Sequence, residues 1–322
     1  MLLTFRGRGY ELRAGESVLE CLARHGVGLP STCRAGTCHT CLLRAEYGDP
    51  GEAGRGGLKP TLRAGGYFLA CLARPVTDLT VAPPAGDVIT PATLLGSERP
   101  APHVLVIWLR PLRPVGFRAG QHVTLSRDGV TRPYSIANLP TEVPRDGLEF
   151  HVRLYPGGAM SGWLAAAAPG ARLGLGVPAG ECFYLPGRPA APLLLAGTGT
   201  GLAPLAAIAR DALAAGHCGP VTVLHGAADP GGLYLAEGSV RSRVRDGDPA
   251  RIRWRTCVLS RGQDIAEEVS QELARLGDPA PVRAYLCGGA RTVARMRRAL
   301  FMAGMSLQSI QADEFVPAVI SG

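Results

Sequence analysis

The chain has almost no lysine. Lys59 is the single one among 34 basic residues, and the arginines that make up the rest are spread over 322 positions without a basic run. A formal charge of +8 would ordinarily suggest a nucleic acid partner, but an electrostatic footprint of that kind is clustered on one stripe or face. Nucleic acid is therefore not expected. Long apolar runs are also missing. Stretches such as 104–109 and 192–196 fall far short of the roughly 20 residues that cross a bilayer, so no membrane span is expected. Residues 1–12 carry Arg6, Arg8 and Glu11 and lack the apolar core of a secretory signal, which leads to the expectation of a cytoplasmic protein. Internal repeats and low-complexity segments are absent too. Aromatic residues are sparse at 6%, whereas 43 Gly and 27 Pro mark a loop-rich globular chain. Its length exceeds what one core usually organises, so two or three domains of about 100 to 150 residues are expected.

The nine cysteines are an odd number. A reducing compartment disfavours a disulfide framework, so clustered cysteines read first as metal ligands. Cys33, Cys38 and Cys41 stand as C-R-A-G-T-C-H-T-C, and Cys71 follows after the intervening residues 42–70. This C-x4-C-x2-C…C spacing is that of a 2Fe-2S centre, which needs two thiolates per iron and a loop that turns its amides toward sulfur. Zinc ribbons present two close Cys pairs, whereas here the fourth cysteine stands alone. Around this cluster, strands are expected over 2–5 and 10–12 and a helix over 18–25. Ser17 and Glu20 form its capping box and Gly26 its left-handed terminus. Residues 1–85 resemble the plant-type ferredoxin domain along their whole length, which implies a β-grasp fold. Free plant ferredoxins are acidic, and this segment is not.

The Pro- and Gly-rich segment 82–91 reads as a linker, with 86–91 as its core. After it, short apolar runs at 103–109, 121–125, 132–137, 148–155 and 172–177, broken by turns and one helix at 160–168, suggest an antiparallel barrel or sandwich. Beyond 192 the pattern becomes strand, glycine turn, Ala-rich helix and strand again, with further strands at 221–225, 252–259 and 282–287. That alternation implies a parallel sheet flanked by helices.

Three motif groups lie on this frame. Arg132, Tyr134 and Ser135 form R-x-Y-S; His151 and Val152 follow, with Arg153; then Gly157, Gly158, Met160 and Ser161 lead into a helix. Glycines at a helix start leave N–H groups and the dipole facing an anion such as a pyrophosphate. Gly197, Thr198, Gly199, Thr200 and Gly201, with Pro204, place a second phosphate cradle between a buried strand and a helix. Cys287 and Gly288 end a later strand, and Asp313, Glu314 and Phe315 lie near the last residue of the chain. In this order the motifs resemble the ferredoxin-NADP reductase superfamily from about residue 92 onward. The C-G-P-P motif of that family has Gly289 and Ala290 in place of its prolines here.

The resemblance implies FAD held by Arg132, Tyr134, Ser135, His151, Val152, Gly157, Gly158, Met160 and Ser161. It implies a nicotinamide held by residues 197–201, Pro204, Cys287 and Gly288, with Phe315 at the flavin edge. Ser135, Cys287 and Glu314 are the expected catalytic residues. Asp229, at the end of the second parallel strand, would repel a 2′-phosphate, so NADH is expected over NADPH. The expected domains are a β-grasp 2Fe-2S ferredoxin domain (1–85), an antiparallel β-barrel FAD domain (92–189) and an α/β parallel-sheet NAD domain (190–322). This order resembles the reductase components of bacterial multicomponent oxygenases. It implies electron transfer from NADH through FAD and the cluster to an oxygenase or hydroxylase component or its ferredoxin. The same chemistry serving a deoxysugar dehydrase is the alternative.

Overall fold

The computed structural model describes residues 1–86 and 88–316. Asp87 of the expected linker and residues 317–322 of the third segment lie outside them. Three sheets follow one another along the chain, each with its own core.

The first is built from β1 (Leu2–Phe5), β2 (Arg8–Glu11), α1 (Val18–Arg24), β3 (Leu42–Tyr47), α2 (Glu52–Arg55), α3 (Pro60–Ala64), β4 (Tyr67–Leu69) and β5 (Leu79–Ala82). Its strand order is β2-β1-β5-β3-β4, with β1 parallel to β5, the β-grasp arrangement. Helix α1 starts where the sequence marks it. The Ser17 side chain accepts from the Glu20 amide, and the Glu20 carboxylate accepts from the Ser17 amide. Val18, Leu19, Cys21 and Leu22 then turn inward, each fully buried leucine contributing about 2 kcal/mol.

The second sheet comprises β6 (Thr90–Ala101), β7 (Val104–Pro111), β8 (His122–Arg127), β9 (Val130–Ser135), β10 (Leu148–Arg153) and β11 (Arg172–Leu175), with helices α4 (Val143–Asp146) and α5 (Ala159–Ala166). It is antiparallel, in the order β10-β7-β6-β11-β8-β9. The two edges meet where Ile136 bridges Phe150 and the Ala137 amide donates to the Glu149 carbonyl at 2.8 Å, which closes the barrel. Strand β6 is not expected from the sequence, because Pro91, Gly96 and Pro100 read as breakers. It tolerates them by register shifts between Leu94 and Gly96 and between Glu98 and Ala101.

The third sheet has β12 (Leu193–Thr198), β13 (Val221–Ala227), β14 (Ile252–Val258), β15 (Arg283–Gly289) and β16 (Ile310–Phe315). Helices α6 (Leu202–Ala214), α7 (Glu237–Arg241), α8 (Ile265–Leu276) and α9 (Ala290–Met302) connect them. All its pairings are parallel, in the order β14-β13-β12-β15-β16. Central β12 is apolar on both faces, as a parallel strand covered by helices must be. The strand order reverses on either side of β12, so a crevice opens at the carboxyl ends of β12 and β15.

A buried polar network joins the barrel to this sheet. Arg210 of α6 pairs with Glu142 at 2.6 Å, and Arg243 pairs with Glu149 at 2.8 Å and with Glu142 at 3.4 Å. Burial opposes ionisation of Glu149, but hydrogen bonds from His151 and Arg243 outweigh it and hold the carboxyl down at about 2. At the other junction, Val88 packs into the β-grasp core, with Ile89 and the barrel residue Val177 against it. Among the described residues, no helix is long and apolar enough to cross a membrane.

Candidate functional site

The four cysteines of the spacing motif come together as two pairs. The Cys33 and Cys38 thiols hydrogen-bond to each other, as do those of Cys41 and Cys71. The loop aims amides at them: Ala35 and Cys38 N–H donate to Cys33 Sγ, and Cys33 N–H to Cys38 Sγ, each at 3.4 Å. The Gly36 amide donates to Cys71. Such donors favour thiolate. The bond from Cys38, aided by Thr37 and the amides, holds the Cys33 thiol down to about 4 against its burial, while Cys38 is pushed up. The second pair divides the same way, Cys41 up and Cys71 down. The sulfurs stand two and two, the arrangement that a centre of two irons with two thiolates each requires.

The loop is shaped for this task at some conformational cost. Gly36 has φ +81°, and a methyl on it would run into Leu72. Arg34 and His39 are held at φ +54°, a region that non-glycine residues seldom occupy.

The second assembly forms at the crevice. Strand pairing sets Gly197 beside Cys287 and Cys287 beside Asp313, so three chain segments converge in one row. The glycine turn lies directly on the end of β15, where a methyl on Gly201 would stand 2.6 Å from the Cys287 carbonyl oxygen. Neither α5 nor the turn Gly199–Gly201 that runs directly into α6 has a side-chain cap, so an anion can approach the backbone amides at both starts. Gly157, at φ +69°, faces open space ahead of α5. The Ser135 hydroxyl at the end of β9 donates to Asp313 Oδ2 at 3.3 Å, which ties the barrel to β16. Burial raises the Asp313 carboxyl, opposed by His122 and Ser135, and the charge of Cys33 raises it further. The cluster loop is thus within electrostatic reach of this carboxylate. Cys287 is 1% exposed, and burial pushes its thiol well up, so it is neutral at physiological pH.

Several expected site residues lie away from the crevice or face away from it. Glu314 is exposed and lines a groove with Ala294, Arg298 and Phe301, because alternation along β16 turns it to the face opposite Asp313 and Phe315. Asp313 is the carboxylate at Ser135. Both ring nitrogens of His151 are engaged in the network, at 2.8 Å from the Tyr234 hydroxyl and 2.9 Å from Glu149 Oε1, and Val152 is buried in the barrel core. From that triplet, Arg153 reaches the glycine turn: its Nη1 is 3.5 Å from where a Gly199 methyl would stand. Met160 is buried, and Ser161 Oγ accepts from the Tyr155 amide at 3.4 Å, so both shape the turn before α5.

The remaining expected residues lie at or beside the crevice. Arg132 bonds the Thr131 carbonyl at 2.8 Å, and Tyr134 packs on the barrel core. Thr198 Oγ1 meets Gly288, Thr200 is buried, and Pro204 lies in the first turn of α6. Asp229 is exposed just past β13. The Ser260 amide donates to the Ala228 carbonyl at 2.9 Å, so the loop after the next strand closes on this turn.

Comparison with known proteins agrees with this geometry. The family model described as a 2Fe-2S iron-sulfur cluster binding domain matches residues 3–76, and that of an oxidoreductase FAD-binding domain matches 105–184. The ferredoxin–NAD(P)+ reductase component of the Pseudomonas putida naphthalene 1,2-dioxygenase system is 30% identical over 336 aligned positions, covering 99% of each chain. The chain belongs to the ferredoxin–NAD(P)+ reductases. The reductase is also 39% identical over 244 residues to the reductase subunit of an aromatic O-demethylase from Amycolatopsis sp., covering 71% of this chain and 72% of that one. Among solved structures, an Amycolatopsis cytochrome P450 reductase superposes with a TM-score of 0.65 at 31% identity, covering 98% of this chain and 99% of the other. The ferredoxin reductase of a carbazole 1,9a-dioxygenase gives 0.64 at 26%, covering 98% of each. The reductase is therefore an iron–sulfur flavoprotein oxidoreductase that uses FAD, a 2Fe-2S cluster and NAD(P).

Proposed function

We propose that the reductase takes hydride from NADH and delivers single electrons to a partner oxygenase or hydroxylase component, or to that component's ferredoxin, in the cytoplasm. The observation that carries this reading is the contact of Ser135 with Asp313 at 3.3 Å, within electrostatic reach of Cys33, which gathers the flavin motif, the parallel sheet and the cluster loop at one place. The names of its relatives in naphthalene dioxygenase and cytochrome P450 systems support an oxygenase as the acceptor.

The chemistry that the bound groups supply is hydride acceptance by FAD and one-electron transfer by the cluster. Cys33, Cys38, Cys41 and Cys71 would hold the cluster. The uncapped start of α5, with Arg132, would bind the pyrophosphate of FAD. The start of α6, with Arg153, would bind that of the nicotinamide. Asp313 Oδ2 accepts a hydrogen bond from the Ser135 hydroxyl beside the hydride path, and burial raises its carboxyl. Cys287 supplies a neutral wall, and positioning carries most of the rate. Asp229 favours NADH.

Anaerobic titration of the purified holoprotein tests the reading. NADH should bleach the flavin and then the cluster absorbance, with kcat/KM about tenfold above that of NADPH. A flavin that NADH leaves oxidised would overturn it.

A further inference from the structure

One buried side chain at the hydride site belongs to none of the motifs. His122 begins β8 and is paired in register with Ser135 of β9, so the two side chains share one face of the barrel. Its Nδ1 lies 3.8 Å from Asp313 Oδ2, the atom that also accepts from Ser135. It is 4% exposed, and Gly180 leaves it room, since a methyl there would stand 2.9 Å from Nδ1. Its Nε2 is buried without a partner, and so is Nδ1 of His39, between Cys38 and Cys41. The two rings lie within electrostatic reach of each other, with Lys59 behind His39.

We propose that His122 is a positioning residue for Asp313 and the point at which the cluster loop is registered on the hydride site. The proposal rests on the functional reading above. An imidazole whose Nδ1–H is directed at a carboxylate presents Nε2 as an acceptor. A donor from His39, direct or through one water, would satisfy both orphan nitrogens at once. Ser135, Asp313, His122 and His39 then form one continuous line from the flavin motif to the cluster ligands. Cys287, Cys182 and Cys33 also face Asp313; burial keeps the first two thiols neutral, so His122, with Ser135, is the neighbour that favours the ionised carboxylate and holds it in place.

His122→Phe keeps a ring and removes both nitrogens, whereas His122→Gln keeps one donor. In the holoprotein with NADH and ferricyanide, His122→Phe should lower kcat about tenfold with KM for NADH unchanged. The limb of the pH profile that reports Asp313 should move up by about one unit, because a neighbour that favours the ionised carboxylate is gone. His122→Gln should restore most of kcat. The ratio of cytochrome c to ferricyanide reduction should fall in His122→Phe, while the electron paramagnetic resonance spectrum of the reduced cluster is retained. Gly180→Ala, which crowds Nδ1 without removing it, should shift the pH limb in the same direction. An unmoved pH limb with unchanged kcat would overturn the proposal. So would a Gln variant that loses kcat as completely as the Phe variant, since no nitrogen of His122 would then be at work. Failure of the functional reading is separate, because it appears as a wild-type flavin that NADH does not bleach.

Discussion

The cluster loop and the hydride site are built in opposite ways. The cluster is held by nine consecutive residues and one distant cysteine, with sulfur and amide donors supplied by the same turn. The proposed hydride site has no local sequence of its own. It takes Ser135 from a barrel strand and the glycine turn, Cys287 and Asp313 from three neighbouring parallel strands, each at a strand end fixed by the ladder behind it. A local site is disabled by losing one ligand and leaves the rest of the molecule intact. An assembled site is disabled by anything that shifts one sheet against another.

The sharpest way to break this contrast is at the fourth cluster ligand. Cys71→Ser should abolish the visible absorbance of the cluster and essentially all cytochrome c reduction, yet leave ferricyanide reduction largely intact; loss of both would show that the two sites are not separable. Next in size, Gly201→Ala sets a methyl against the Cys287 carbonyl, a backbone contact that a side-chain rotation cannot relieve. Steady-state kcat/KM for NADH should fall about 100-fold, with cluster absorbance unchanged.

A smaller effect is expected where the barrel meets the parallel sheet. Arg243→Met leaves Glu149 buried with one partner fewer and should cost about 2 kcal/mol at pH 7, measured by denaturant unfolding. The Glu149 carboxyl is held at about 2, below its ordinary value, so its contribution is complete above about 4.5 and is lost as pH falls toward 2. The gap between variant and wild type should therefore narrow over that window; a constant gap would show that Glu149 does not carry it. Smallest is the change in cofactor choice. Asp229→Arg should raise the NADPH to NADH ratio of kcat/KM about tenfold, and no change would place the ribose elsewhere.

What could be read from the sequence follows the same division. The cysteine spacing, the Ser17–Glu20 capping box and the glycine turn are local, and the structure places each of them as expected. Strand β6 was hidden because its prolines are tolerated only through bulges that depend on the partner strand. Choosing Asp313 over Glu314 needs the facing of a strand that is known only once β16 is paired with β15. His151 resembles a cofactor contact until Tyr234 and Glu149 are found on its two nitrogens. His122 and the pairs of Arg210 and Arg243 with Glu142 and Glu149 join residues far apart in the chain, so no local window contains them.

Val88 anchors the segment between the first two sheets by burying its side chain in the β-grasp core. The cysteine loop turns His39 to within electrostatic reach of His122 of the barrel, while Arg34, Ala35 and Thr37 are open to the outside. A carrier built this way can receive on one side and discharge on the other without swinging. Its throughput would then be governed by how long a visiting acceptor stays, not by domain motion.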